Sequence, residues 1–195
     1  MKPSESGEPK GVKMSVQITK QSITLAFFKL LETKPYKKIT VSDVAAAAGL
    51  NRMTFYYHFK DIDDLVIKTI EENFLNIVGS SAASGDYLSA YLNVYLIVAK
   101  HRELAKKVYP EFDMQRLVSF ISPLAFKLST HLVKQRVPRS VSAEMRKIIA
   151  HAVGCCMIGA FIDWLNSDME TDPREMIGGH AAFFNATIDA LAAKK

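Results

Sequence analysis

The segment "GLNRMTFYYHFK", residues 49–60, packs four aromatic rings and a histidine into less than four turns of potential helix. At about 100° per residue, Phe55 and Phe59 fall on one face, with Met53 and Tyr57 opposite them. Arg52 and Tyr56 flank one edge and His58 the other, while Thr54 and Lys60 lie on either side of the outer pair. The two phenylalanines read as core. Arg52, Met53, Thr54, Tyr56, Tyr57, His58 and Lys60 read as an outward set, where a tyrosine and a methionine gain nothing from burial within their own unit.

That set has the chemistry of a DNA reader. An arginine can bond guanine through two parallel hydrogen bonds, and Met53 or Tyr57 can lie against a thymine methyl. Lysine, hydroxyl and imidazole groups can hold phosphate oxygens. The competing reading is an aromatic face for a protein partner.

The flanking residues turn this helix into a motif. In "ITVSDVAAAAGLN", residues 39–51, Thr40 and Asp43 have the spacing of a capping box. Val41, Val44, Ala45 and Ala48 supply a short helix, and Gly49 follows as the residue that takes a positive φ at little cost. Asn51 then caps the next helix. A short helix, a tight glycine turn and a second short helix form a helix-turn-helix arrangement. Upstream, Ile23, Phe27, Leu30 and Leu31 make one apolar face of a helix capped by Thr19 and ending before Pro35. Downstream, Asp61 is the expected cap of a fourth helix running to about Val78, with Asp63 and Asp64 in its first turn.

The stretch "ITVSDVAAAAGLNRMTFYYHFKDIDDLV" resembles the DNA-binding head of TetR-family transcriptional regulators. Thr40, Asp43, Val44, Ala45, Ala48, Gly49, Thr54, Phe55, Tyr56, His58, Phe59 and Leu65 carry the likeness, over residues 18–75. One departure is Ile62, which stands where the family commonly has a lysine. The resemblance implies that Thr40, Tyr56, His58 and Lys60 hold the DNA backbone and that Arg52, Met53 and Tyr57 sit at base edges. It also implies an all-helical dimerisation and effector domain, and a homodimeric, ligand-responsive repressor on a palindromic operator. The alternatives are an activator, or an interaction module working through a coregulator. The C-terminal body is also similar to the branch containing activators of dihydroxyacetone kinase operons.

Charge agrees with a polyanion-binding head. Residues 1–60 hold 10 Lys and Arg against 4 Asp and Glu, whereas residues 61–195 hold 15 against 16. Residues 1–16, rich in Ser, Glu, Pro, Gly and Lys, read as a disordered tail. Residues 17–62 form the expected head and 63–195 the body, with "GSSAASGD" (79–86) as a break between helices. No apolar leader follows the polar start, and Cys155 and Cys156, adjacent in sequence, suit a reducing compartment. A cytoplasmic protein is expected.

The body reads as helices over roughly 86–100, 102–109, 112–135, 142–166 and 173–193, with a kink at Pro123. No strand pattern appears, so the chain is all-α. The apolar run 148–162 is too short to span a bilayer, and no membrane partner is expected. Helix 142–166 is apolar almost all round. With Gly154 and Gly159 allowing close approach, it and 173–193 form the expected dimer interface. Tyr91, Tyr95, Phe112, Phe120, Met157 and Phe161 are candidates to line an effector pocket. His151 and Cys155 have metal-ligand spacing, but there is no clear third and fourth ligand, so no metal or cofactor is expected. No catalytic motif is present, and no enzyme activity is expected.

Overall fold

A computed structural model describes residues 10–72 and 86–193, and within them only helices and turns. The helices are α1 (Lys10–Thr33), α2 (Val41–Ala47), α3 (Arg52–His58), α4 (62–72), α5 (Tyr87–Lys100), α6 (Arg102–Val108), α7 (Met114–Arg136), α8 (Ala143–Asn166) and α9 (Pro173–Ala193). Short 3₁₀ turns lie at Tyr36–Lys38 and Tyr109–Glu111. The chain divides into two compact units, one ending at Thr69 and one beginning at Ile70. The first unit passes the boundary expected at residue 62, because Leu65 and Val66 of α4 are buried in its core. The end expected for α4 near Val78 and residues 79–85 of the expected break lie outside the described residues, while Asp86 caps α5.

In the first unit, α1 begins much earlier than its sequence reading. Residues 10–16, expected as tail, are helical, and Thr19 is no cap: its hydroxyl donates to the Ser15 carbonyl within the helix. Nothing between Pro9 and Pro35 interrupts helical backbone, so the helix fills the interval. Its face of Ile23, Ala26, Phe27 and Leu31 is buried with Tyr36, Ile39, Val44, Phe55 and Phe59. Phe27 meets Tyr36 edge to face at 6.3 Å, and the Tyr36 hydroxyl donates to Asp63 at the start of α4.

In the second unit, α7 and α8 form the principal helix pair. They are tightly packed at Gly154, where a Cβ would come within 2.4 Å of the Phe126 ring. Gly154 therefore serves packing inside one chain, while nothing lies within 4 Å of a Cβ built on Gly159. The helix α7 is continuous through Pro123. Residues Ala150, Gly154, Met157, Trp164 and Leu165 make the buried face of α8. Its other face, with Met145, Ile148, Ala152, Cys155, Cys156 and Gly159, is exposed in the single chain. At 24 residues α8 is long and apolar enough to cross a membrane by length and composition alone. The shorter run read from sequence omitted its polar ends, which belong to the same helix.

The α8–α9 corner turns through Asp168 and Met169, both at positive φ (57° and 59°). Such backbone costs a non-glycine residue about 1–2 kcal/mol. Burial of Met169 offsets that cost, as does a 2.8 Å bond from Arg102 Nε on α6 to the Asp168 carbonyl.

Gly154→Ala should lower unfolding stability by about 1–3 kcal/mol, the range for overpacking a filled site, because both partners of the clash are ring carbons between packed helices. Urea denaturation checks this, with Gly159→Ala as the comparison at low protein concentration, where open space and helix propensity should give a gain of up to about 1 kcal/mol instead of a loss.

Candidate nucleic-acid interface

The presentation of α3 begins one helix earlier. Thr40 Oγ1 accepts from the Asp43 amide at 3.2 Å, and the Thr40 amide donates to Asp43 Oδ2 at 2.8 Å, completing a capping box. Lys34 Nζ lies 2.6 Å from the same carboxylate oxygen. The Lys34 ammonium and then the Thr40 donors hold the Asp43 carboxyl far below the usual carboxylate range. At its other end α2 closes in a Schellman turn: the Gly49 amide bonds the Ala46 carbonyl at 3.1 Å and the Leu50 amide bonds that of Ala45 at 2.8 Å. Gly49 has φ +70°. Asn51 then caps α3, its Oδ1 accepting from the Thr54 amide at 2.8 Å and the Thr54 hydroxyl at 3.1 Å.

The outward set divides on this scaffold. Phe55 and Phe59 are buried with their rings 5.6 Å apart. Met53 and Tyr57 are 75% and 77% exposed, Tyr56 is 53% exposed, and Arg52 is exposed beside them. His58 is the correction: it is buried, with its ring edge-on to Tyr57 at 5.0 Å. On a helix it lies only about 60° from Phe55, inside the arc of 100° or more that a core-facing helix buries. Desolvation, followed by the charges of Lys20 and Lys68, pushes the imidazole below its ordinary value. Burial thus places His58 with the core of the head and not with the exposed residues of α3.

Lys60 also departs from the helical wheel. The helix ends at His58, Phe59 is extended, and Lys60 lies exposed in the bend before α4. Its amide donates to Asp64 Oδ2 at 2.8 Å, and Asp61 Oδ1 caps the Asp64 amide at 2.6 Å. Ile62, the departure from the family pattern, is half-buried in the first turn of α4. The hydroxyls of Thr40 and Thr54 are engaged as donors to Asp43 and Asn51, so both residues first serve as structure. Lys37 and Lys38, exposed before α2, add positive charge that the reading of the 49–60 segment passed over. The signal was the paired lysine just ahead of the capping box.

These features coincide with an independent likeness. Residues 23–69 match the profile of bacterial regulatory proteins of the tetR family, and residues 85–179 match a transcriptional regulator C-terminal region. The chain belongs to the TetR family. As a TetR-family protein it is a DNA-binding transcriptional regulator with an N-terminal helix-turn-helix unit and a helical C-terminal domain. It is 31% identical over 65 residues to the HTH-type dhaKLM operon transcriptional activator DhaS of Lactococcus lactis, a match covering 33% of this chain and 35% of that protein. Over 62 residues it is 39% identical to the HTH-type transcriptional regulator EthR of Mycolicibacterium smegmatis, covering 28% and 29%. The matching stretches thus span about a third of these curated relatives. Among solved structures, the dihydroxyacetone kinase operon activator DhaS aligns with a TM-score of 0.72 at 16% identity, covering 89% of this chain and 98% of that one. NalD of Pseudomonas aeruginosa, the secondary repressor of the MexAB-OprM multidrug efflux pump, aligns at 0.59 and 19%, covering 87% and 96%.

In the C-terminal domain the structure brings together four of the six candidate pocket residues. Tyr91, Tyr95 and Met157 are buried in one cluster, with Phe161 packed against it and edge-on to Tyr95 at 5.2 Å. Phe112 and Phe120 are half-buried and outside that cluster, and Phe112 lies in extended backbone between the Tyr109–Glu111 turn and α7. The hydroxyls of Tyr91 and Tyr95 bond each other at 3.0 Å. Burial pushes the Tyr91 phenol up to about 12, and burial raises Tyr95 as well.

His58 gives the head a pH dependence. Its folded pKa lies below the ordinary 6.5, so the unfolded chain binds the proton more readily and stability is lost as pH falls below that value. Urea midpoints of the wild type should drop between pH 7.5 and 5.5. In His58→Gln that drop should be smaller.

Proposed function

We propose that the chain acts as a homodimer whose two α3 helices enter successive major grooves of a palindromic operator. Arg52, Met53 and Tyr57 meet base edges, while Tyr56, Lys60 and the neighbouring Thr40 and Thr54 face the phosphate backbone. The observation that carries this reading is the exposure of Met53 and Tyr57 beside Arg52, on a helix whose opposite face is locked by Phe55 and Phe59. Large apolar surface held in solvent by a rigid scaffold marks a binding face, and α3 offers cation, aromatic and thioether chemistry suited to a groove.

Dimerisation is supported by the second apolar face. On α8, Met145 and Ile148 are exposed, and on α9 Phe183 is 75% exposed. An isologous four-helix contact through α8 and α9 would cover all three. Two heads about 34–36 Å apart would then read half-sites one turn of DNA apart.

The regulator is read as a cytoplasmic, ligand-responsive repressor. A small-molecule effector in the body, near Tyr91, Tyr95, Met157 and Phe161, favours a dimer geometry whose heads no longer match the operator. The chain runs from head to body through α4, and coupling equals the effector's differential affinity for the two states. A second reading, an activator working with a coregulator, is favoured by the likeness to the activator DhaS.

Fluorescence anisotropy against DNA tiled from the region flanking its own gene tests the proposal. Arg52→Ala and Tyr57→Ala should each weaken specific binding by about 5- to 150-fold, the value of about 1–3 kcal/mol of base readout. Their thermal stability should stay unchanged, since both side chains are exposed. Binding that is sequence-indifferent, or that survives both changes, would sink the reading. Phe183→Asp should shift the particle from two chains to one in light scattering and weaken operator binding with it.

A further inference from the structure

The outward face of α8 carries a pair of groups that DNA binding leaves unused. His151 Nε2 and Cys155 Sγ stand 3.6 Å apart, one helical turn from each other, and both residues are exposed in the single chain. A tetrahedral zinc ion, with Zn–S about 2.3 Å and Zn–N about 2.0–2.1 Å, separates its sulfur and nitrogen ligands by about 3.5–3.6 Å. The pair already has that bite.

The imidazole is held in place by packing. Its ring is parallel to that of Phe126, with 5.1 Å between centroids and 4° between planes. Phe126 in turn occupies the space that the missing Cβ of Gly154 leaves open. Gly154, Phe126 and His151 are thus one packed series in which the His151 ring lies stacked against Phe126.

One chain supplies too few ligands, for no three His, Cys, Asp or Glu side chains converge among the described residues. Symmetry supplies the rest. In an isologous contact a residue at the two-fold axis meets its own copy. Cys155 lies at the middle of Ala143–Asn166, on the same exposed face as Ala152 and Gly159, whose small side chains allow two helices to come close. Two thiolates balance the charge of a divalent cation, so the filled site is neutral, as an apolar contact requires. We propose that two copies of this chain, paired about the middle of α8, hold one zinc-class cation between them through His151 and Cys155 of each. Binding displaces one proton from each thiol, two per metal, and the imidazoles bind neutral. A cation bound only by the dimer stabilises the dimer by mass action. The site rests on the homodimer reading, and Cys156, about 100° around the helix from Cys155, is outside it.

The test is titration of the metal-stripped, reduced full-length protein with Co(II), with chain number followed by light scattering in the same samples. Thiolate-to-cobalt charge transfer and tetrahedral visible bands should saturate at one cobalt per two chains, and Zn(II) should bleach them. Cys155→Ser and His151→Ala should lose the bands, and Cys156→Ser should keep them. Variant folding is checked by helicity, which these exposed positions should leave unchanged. A dimer without bands overturns the metal site alone. A monomer at every cobalt concentration overturns the site together with the homodimer. Saturation at one cobalt per chain, or bands that survive Cys155→Ser, also overturns the proposal.

Discussion

The corner between α2 and α3 constrains everything that the head presents. Gly49 holds φ +70° there, the one positive-φ glycine among the described residues. The backbone groups on both sides of it are satisfied locally, by the Schellman bonds to Ala45 and Ala46 and by the Asn51 cap. A side chain at position 49 would meet no neighbour, so the requirement is conformational and not steric. With the corner closed by backbone and cap groups, Arg52, Met53 and Tyr57 are not needed for folding. Phe55 and Phe59 anchor the helix from beneath, and the outer face is left for a ligand.

The C-terminal unit uses glycine differently. Gly154 admits the Phe126 ring between α7 and α8, and the absence of a side chain matters there because of space. One close approach organises both faces of α8: the inner face joins the cluster around Tyr95 and Trp164, while Phe126 orients His151 on the outer one. A helix that is apolar on both faces needs cover on both. In a single chain only one is covered. The homodimer proposed above would tie the stability of the body to its assembly, and the double apolar face explains why the helix is long and apolar enough to cross a membrane by length and composition.

The head shows how local and global constraints share residues. Thr40, Asp43 and Lys34 form a charged cap that starts α2 beside the proposed DNA face. Tyr36 and Asp63 join the turn before α2 to the start of α4. Lys68 bonds the His58 carbonyl at 3.0 Å and lies over the Phe59 ring, so the end of α3 is fastened to α4.

The sequence by itself determined the helices of both units, the capping box, the glycine turn and the inward pair Phe55 and Phe59. Each follows from contacts within a few residues, where spacing and backbone preference suffice. Tertiary structure decided the fate of His58, which lies at the margin of the buried arc. Whether a marginal position is covered depends on the neighbouring elements and not on its own helix. The same holds for Lys60, whose wheel position lapsed once the helix stopped at His58, and for Phe112 and Phe120, which missed the Tyr95 cluster. Gly154 and Gly159 look alike in sequence, yet only the partner helix α7 tells them apart. Which residues meet across helices is set by packing, and packing is not written in the periodicity of any one of them.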